Sequence, residues 1–543
     1  MGQEKRIVDK WNPVTKSPDY NKKLDELLFS ELKVIPFIYK VLYKKVIKLA
    51  LIHENTWGLL VIKGPRRIGK TTLLYYLVYR ALKDTIDAKN ILYLSLDDPN
   101  LDFKLLERIL EQHLLKKGKK IVLLDEASFI PEWNRILKNL IDRGIVQDSI
   151  IVVTGSYGVD LEEAERLLYG RVGNVYNIRG SLKSGAFQFL FPLRFSEIVN
   201  EFEVCENLKS FLIKKNVAKR KTLPSIREGL LRNLVVKKED ISFLEEIDDV
   251  ILNSLSSFFK TFVLTGGFPK YFKDYISSEF SEQSLIRAYN DFYQLIKADG
   301  KKLFPKYYQG IRFHDDVFDT LIKVLTEYVG GQFNVEDILN KVHEFLSRHT
   351  LKRIEINAYL DFMLTTKLIY TIKPAKLRGE DVEFVEGKRK LYFRDSLIYL
   401  AFYSRTRNIN NVIEIQRTIK KKNLYGPLFE NIVVRHLVEL PFLTEPAPID
   451  MKSFEEKNLG YYEGKFNKEK FEIDAVTWFR EYKGEKRILL AEITTQDKKD
   501  ISLALNWVNK EFPNYRLIVM TEEYLEVNKD VLFIPAYLLL SLI

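Results

Sequence analysis

Gly64-Pro65-Arg66-Arg67-Ile68-Gly69-Lys70-Thr71 sets two glycines, an ammonium and a hydroxyl close together in sequence, the pattern of a loop that grips phosphates. A backbone approaches phosphate oxygens closely only where side chains are absent, which Gly64 and Gly69 allow. Its N–H groups then point at the anion, with the positive end of the next helix behind them. In such a loop Lys70 reaches the β and γ phosphates and the Thr71 hydroxyl holds Mg2+, with Thr72 completing the nucleotide-binding set. The competing explanation is a tight turn. An apolar run before the loop and an apolar helix pattern after it, Trp57 to Lys63 and Thr71 to Leu82, favour the phosphate loop.

Ile121-Val-Leu-Leu-Asp125-Glu126 is an apolar run ending in two acids. At a strand tip Asp125 serves the Mg2+ shell, and Glu126 is placed to orient and deprotonate an attacking water. Acids after strands also cap helices, so the pair gains meaning only beside the loop upstream. Ser149 to Thr154 brings Thr154 and Ser156 to the same sheet edge, where ligands of open α/β sheets bind. Either hydroxyl could sense a γ phosphate or cap a helix. Arg171, in Leu168-Tyr-Gly170-Arg171-Val-Gly173, is a candidate arginine finger acting on a neighbouring subunit, against the alternative of a surface arginine.

These residues need a scaffold that brings strand ends to one edge. Apolar runs at Asn90 to Leu96, Lys119 to Leu124 and Ser149 to Thr154 alternate with helical patterns at Phe103 to Leu115 and Glu132 to Asp142, which predicts an α/β fold with a parallel sheet buried on both faces. The stretch before about Thr56 reads as helical, with Leu32, Ile35, Phe37, Ile38 and Leu42 among lysines. At 543 residues the chain needs more than one core. No apolar run approaches the roughly 18 residues of a membrane span, so no membrane contact is expected. The start, MGQEKRIVDKW, carries charges where a signal peptide needs an apolar stretch. The single cysteine, Cys205, rules out an internal disulfide and a Cys-rich metal site. A cytoplasmic protein is expected. The net charge of +11 favours a polyanionic partner, with a solvated lysine-rich surface as the bland alternative.

The loop GPRRIGKTT, the strand ILYLSLDDP, the segment LLDEASFIPEW, the strand VVTGS, Gly170-Arg171 and FPLRFSEIV together resemble the archaeal ATPase family, which belongs to the AAA+-like P-loop proteins. The resemblance covers roughly residues 30 to 200 and continues in order through Gly266-Gly-Phe-Pro269, a winged helix and a nuclease-like end. It implies ATP as the nucleotide. Arg194-Phe195-Ser196-Glu197 departs from the family's usual order.

Val317 to Tyr328, Val335 to Leu346 and Leu351 to Thr365 read as three helices, followed by two strands from Leu368 to Tyr392, the order of a winged helix. The third helix would enter a DNA groove and the hairpin would touch phosphates. That helix opens on Ser347-Arg348-His349-Thr350 and exposes Lys352, Arg353 and Asn357, while Leu351, Ile354, Ala358 and Leu360 to Phe362 should face the core. The wing offers Lys373, Lys376, Arg378, Lys388, Arg389 and Lys390, opposed by Glu380, Asp381, Glu383 and Glu386. From about Leu424 the order helix, three strands, helix, strand, with Glu430, Asp474 and Glu492, resembles the PD-(D/E)xK nuclease fold, whose acids bind Mg2+ beside a lysine. Here Thr494 stands where the lysine belongs. The expectation is an inactive, degenerate site kept for binding or packing, with Lys498 the displaced candidate.

The expected organisation is an N-terminal helical segment and ATPase core over 1–200, a helical insertion and lid over 201–310, a winged helix over 311–398 and a nuclease-like domain over 399–543. The lysine-rich part near Asn200 to Asp240, including Lys219-Arg220-Lys221, should be a surface insertion. Three functions fit: an ATP-hydrolysing DNA motor or remodeller assembled as a homo-oligomer, a nucleotide-gated switch binding protein partners, or an ATP-dependent nuclease.

Overall fold

The computed structural model describes residues 2–11, 35–84, 86–155, 158–200, 202–217, 222–346, 352–379, 381–442, 447–448, 457–480, 485–496 and 500–543. Leu32, Ser156, Lys219 to Lys221, Ser347 to Leu351, Glu380 and Lys498 lie outside them. The chain divides into one unit of Met1–Phe191 with Glu445–Met451 and another of Pro192–Thr444 with Lys452–Ile543.

In the first unit five strands run parallel: β1 (Gly58–Lys63), β2 (Ile91–Ser95), β3 (Lys120–Asp125), β4 (Ser149–Gly155) and β5 (Phe187–Phe189), in the order β5-β1-β4-β3-β2. The two-residue strand Ala447–Pro448 adds antiparallel to β5 at the edge. Every residue of β1 to β4 is buried, because helices Lys70–Lys83, Phe103–Leu114 and Trp133–Asp142 cover a sheet that must hide both faces. These elements fall within a residue of where the apolar runs and periodicity place them. The turn into Phe103–Leu114 is fixed by Asp102, whose carboxylate accepts the Leu105 N–H at 2.8 Å. With β1 between β5 and β4 and all of these strands parallel, its carboxyl end and those of β3 and β4 share one edge.

The second unit opens on Pro192, and its Pro-Leu-Arg-Phe-Ser segment is buried. Arg194 begins the short helix Phe195–Val199, and its N–H donates to Glu197 Oε2 at 3.1 Å. Its guanidinium lies 3.9 Å from Glu439. The imidazole Nε2 of His436 accepts the Phe195 N–H at 3.0 Å. The lysine-rich stretch after it is not a superficial insertion. Helices Glu203–Lys214 and Leu223–Val235 bury Cys205, Leu208, Leu212, Ile226, Leu230, Leu231 and Leu234. Their apolar positions recur at helical spacing between the lysines, so one face sinks, taking Lys209 and Arg227 with it while the other charges stay out. Arg516 locks the second helix by donating to the Asn233 and Leu234 carbonyls, both at 2.8 Å.

Helices Asp315–Leu325, Val335–Phe345 and Arg353–Thr365 precede β7 (Ile369–Arg378), β8 (Asp381–Phe384) and β9 (Arg389–Phe393), with β6 (Gln332–Phe333) pairing β9. The two strands expected for the wing are thus three. Ile354, expected in the core, is 65% exposed, and Ile356 and Tyr359 are buried in its place. Counting Ala447–Pro448 as β10, the strands that follow are β11 (Leu459–Phe466), β12 (Glu469–Arg480), β13 (Lys486–Ile493), β14 (Leu517–Thr521), β15 (Glu526–Val527) and β16 (Val531–Pro535). Helix Tyr425–Leu437 precedes β11, and helix Ser502–Glu511 connects β13 to its parallel neighbour β14. β11 also pairs parallel with β7, Gly460 opposite Lys373 and Tyr461 opposite Pro374. The wing and the C-terminal strands therefore form one continuous sheet, β15-β16-β14-β13-β12-β11-β7-β9-β6. Among the described residues no helix is long and apolar enough to cross a membrane.

Candidate nucleotide site

β1 delivers the chain to Gly64, and the helix Lys70–Lys83 takes it away. Between them the backbone must turn sharply. Gly69 sits at φ +99°, a left-handed conformation suited to glycine, and a Cβ there would lie 2.4 Å from the Tyr39 hydroxyl. That hydroxyl donates to the Gly69 carbonyl at 2.6 Å, pinning the loop from the N-terminal side. Arg67 also adopts positive φ, 65°, at the exposed tip, with Arg66 half-buried beside it and Pro65 and Ile68 buried. The loop therefore holds strain that its neighbours must sustain.

Lys70 is buried and turns back over its own loop, donating to the Gly64 carbonyl at 2.9 Å and the Pro65 carbonyl at 3.1 Å. Its ammonium is 4.0 Å from Glu126 Oε1. One residue on, the Thr71 hydroxyl donates to Asp125 Oδ2 at 2.7 Å, whereas Thr72 is exposed. Asp125 collects two more hydroxyls, Thr154 on Oδ1 at 2.5 Å and Tyr93 on Oδ2 at 3.0 Å. Thr154 in turn accepts the Glu126 N–H at 3.1 Å, which fixes Glu126 in a left-handed turn, φ 53°, at the exit of β3. Burial and the Asp125 carboxylate push the Tyr93 phenol far above its ordinary value, so it stays a donor throughout the physiological range.

Lys70, Thr71, Asp125, Glu126 and Thr154 thus meet at the carboxyl edge of β1, β3 and β4. Tyr39 and Tyr93 join them. Tyr39 stands in no motif, and Tyr93 lies in the strand ILYLSLDDP without being singled out there. Tyr93 could have been found from its place on β2 beside β3, but nothing in the local sequence marks Tyr39.

Residues 56–199 match the family model described as an AAA domain, and residues 257–408 match one described as a domain of unknown function, DUF8612. Uncharacterized protein MJ1637 of Methanocaldococcus jannaschii is 34% identical over 137 residues, 24% of this chain and 28% of that one. The chain thus matches little more than a quarter of that relative's length. Uncharacterized protein MJ1544 of the same organism is 23% identical over 399 residues, 70% of this chain and 71% of that one. Among solved structures, Aeropyrum pernix ORC1 in complex with DNA aligns with a TM-score of 0.30 at 13% identity, over 70% of this chain and 96% of its own. DnaA from Aquifex aeolicus bound to AMPPCP gives 0.23 at 14% identity, over 61% and 88%.

Within the AAA domain Arg171 stands apart from the loop. The carbonyl of its neighbour Val172 accepts the Leu59 N–H at 2.8 Å, at the start of β1, whereas the phosphate loop leaves from its far end. Five residues of strand separate them, on the order of 16 Å. The Arg171 guanidinium donates to Asp142 at 2.7 Å, and with Lys138 it holds the Asp142 carboxyl below its usual range.

Outside the AAA domain, the second unit gathers Glu430 and Asp474 but also a lysine that the sequence reading assigned elsewhere. Lys390, expected on a phosphate-facing wing, is buried, with its ammonium 3.6 Å from Glu430 Oε1 and 3.8 Å from Asp474 Oδ1 and bonded to Glu472. Lys373 is likewise buried and bonded to Glu386, which also attracts Arg389 at 3.4 Å. Edge pairing of β7 with β11 carries these lysines inward, leaving Lys376, Arg378 and Lys388 as the exposed cations of the wing. Glu492 is buried on β13, paired in register with Val519 of β14.

Proposed function

We propose that this chain is an ATP hydrolase of the AAA+-like kind that works on DNA as a homo-oligomer. The observation that carries it is the convergence of Lys70, Thr71, Asp125 and Glu126 at one sheet edge, joined by the Thr71 to Asp125 bond at 2.7 Å. The donor set fits a triphosphate with Mg2+: a buried ammonium resting on two carbonyls, a hydroxyl facing a carboxylate, and a second carboxylate one residue further. ATP with Mg2+ supplies the phosphoanhydride bond and the metal charge when bound.

The chain's own groups do the rest. Lys70 exchanges two carbonyl partners for phosphate oxygens, whose charge makes stronger hydrogen bonds. Thr71 and Asp125 would hold the metal, Glu126 would take the proton of the attacking water, and Thr154 keeps Asp125 and the Glu126 backbone in register. Arg171 is the finger offered to a neighbouring subunit, its pairing with Asp142 being the resting arrangement.

The DNA reading draws on the net charge of +11 and on exposed Lys352, Arg353 and Asn357 together with Lys376, Arg378 and Lys388. Its test is phosphate release with and without duplex DNA at rising salt. Stimulation that fades as salt rises supports it. Hydrolysis indifferent to DNA, with no salt-sensitive binding, removes the DNA part and leaves the hydrolase.

A further inference from the structure

Lys390 lies at the meeting point of acids from separate elements. Glu430 comes from the helix Tyr425–Leu437, and Glu472 and Asp474 come from β12. The lysine itself comes from β9, far from where a nuclease-like motif would carry one. Its ammonium also lies over the Tyr461 ring, 5.1 Å from the centroid.

Glu430 and Asp474 each keep one further hydrogen bond within the fold. Tyr392 donates to Glu430 Oε1 at 2.5 Å, and the Ile493 N–H donates to Asp474 Oδ2 at 2.8 Å. The turn at Gly330, φ +73°, closes over Glu430 so tightly that a Cβ there would sit 3.1 Å from Oε2. A magnesium ion needs oxygens at about 2.1 Å in near-octahedral order and keeps several waters. Among the described residues no three His, Cys, Asp or Glu side chains are arranged to hold a metal ion. An ammonium within 4 Å of Glu430 and Asp474 fills the space those waters would need. A buried charge paired in this way is far less costly than one left alone.

We propose that the Lys390 ammonium stands in the place of a divalent cation at this cluster, making it an internal clasp between the wing and the C-terminal sheet that takes up no metal. The clasp is independent of the nucleotide site.

Mn2+ titration calorimetry on the full chain without nucleotide tests it. Wild type and Asp474→Asn should give the same isotherm. Lys390→Met should gain one further Mn2+ per chain, bound at least tenfold tighter than any wild-type binding at that cluster, and Lys390→Met with Asp474→Asn should lose it. A wild-type site that Asp474→Asn abolishes overturns the proposal, as does a Lys390→Met chain with a wild-type circular dichroism spectrum and no new site. If Lys390→Met does not fold, the comparison of wild type with Asp474→Asn decides alone.

Discussion

Thr71 and Asp125, 54 residues apart, are joined by a hydroxyl-to-carboxylate bond of 2.7 Å that ties the first turn of the loop's helix to the tip of β3. Because Asp125 also accepts from Tyr93 and Thr154, it organises the edge in addition to the metal-holding role proposed for it. Asp125→Ala leaves three hydroxyls without their acceptor. It should lower stability by about 1–3 kcal/mol and abolish Mg2+-dependent nucleotide binding. Thermal unfolding and fluorescent-nucleotide titration with and without Mg2+ read the two effects. Thr71→Val, which removes one donor, should lose the Mg2+ dependence at a smaller cost in stability.

Lys70 and Glu126 face one another at 4.0 Å yet are assigned different tasks. Lys70→Ala should lose nucleotide binding outright. Glu126→Gln keeps the loop and the metal pair, so it should bind ATP normally and slow turnover by about 10²-fold or more. Single-turnover hydrolysis beside equilibrium binding separates the two. Normal hydrolysis by Glu126→Gln would remove it as the base.

The convergence of Lys70, Thr71, Asp125, Glu126 and Thr154 was readable because they sit in one contiguous loop and at the ends of strands whose apolar runs are unmistakable. β5 was missed because its three residues carry no run long enough to register. The wing failed for a different reason. Lys373 and Lys390 look like solvated cations in a linear reading; Lys373 turns to Glu386 within the wing itself, and the pairing of β7 with β11, a contact between segments some ninety residues apart, brings Lys390 toward Glu472 and Asp474. The lysine-rich helices after Asn200 misled in the same way, since their buried faces are spaced among charges.

His113 gives the AAA domain an acid-sensitive element. Burial, then Lys116, depress its imidazole to about 4 from an ordinary 6.5, despite its bond to the Asn90 carbonyl. The folded state therefore binds fewer protons than the unfolded chain between those values. Stability from this group is full above pH 6.5 and is lost as pH falls toward 4. The loss should be on the order of 2–3 kcal/mol across that window. Urea unfolding at pH 7 and pH 5 should show a steeper decline for wild type than for His113→Gln; parallel declines would exclude His113 as the source.

Arg171 is paired with Asp142 and lies at the opposite end of β1 from the loop, so any part it takes in hydrolysis must be played on another subunit. Arg171→Ala should bind ATP as wild type does and lose turnover by roughly 10³-fold. Mixing it with Lys70→Ala should restore part of the activity, because one chain supplies an intact loop and the other the arginine. Mixtures no more active than their components would retire the finger.

The exposed wing cations make the DNA reading quantitative. Each phosphate neutralised by a lysine or arginine contributes about 0.9 to the slope of log affinity against log salt. Arg378→Ala or Lys388→Ala should weaken binding to any duplex and flatten that slope by roughly one such step. Lys373→Ala should leave the slope unchanged, since that ammonium is buried and committed to Glu386. A slope flattened equally by Lys373→Ala would mean that Glu386 releases its lysine when DNA arrives, and that the joined sheet of wing and C-terminal strands opens to bind.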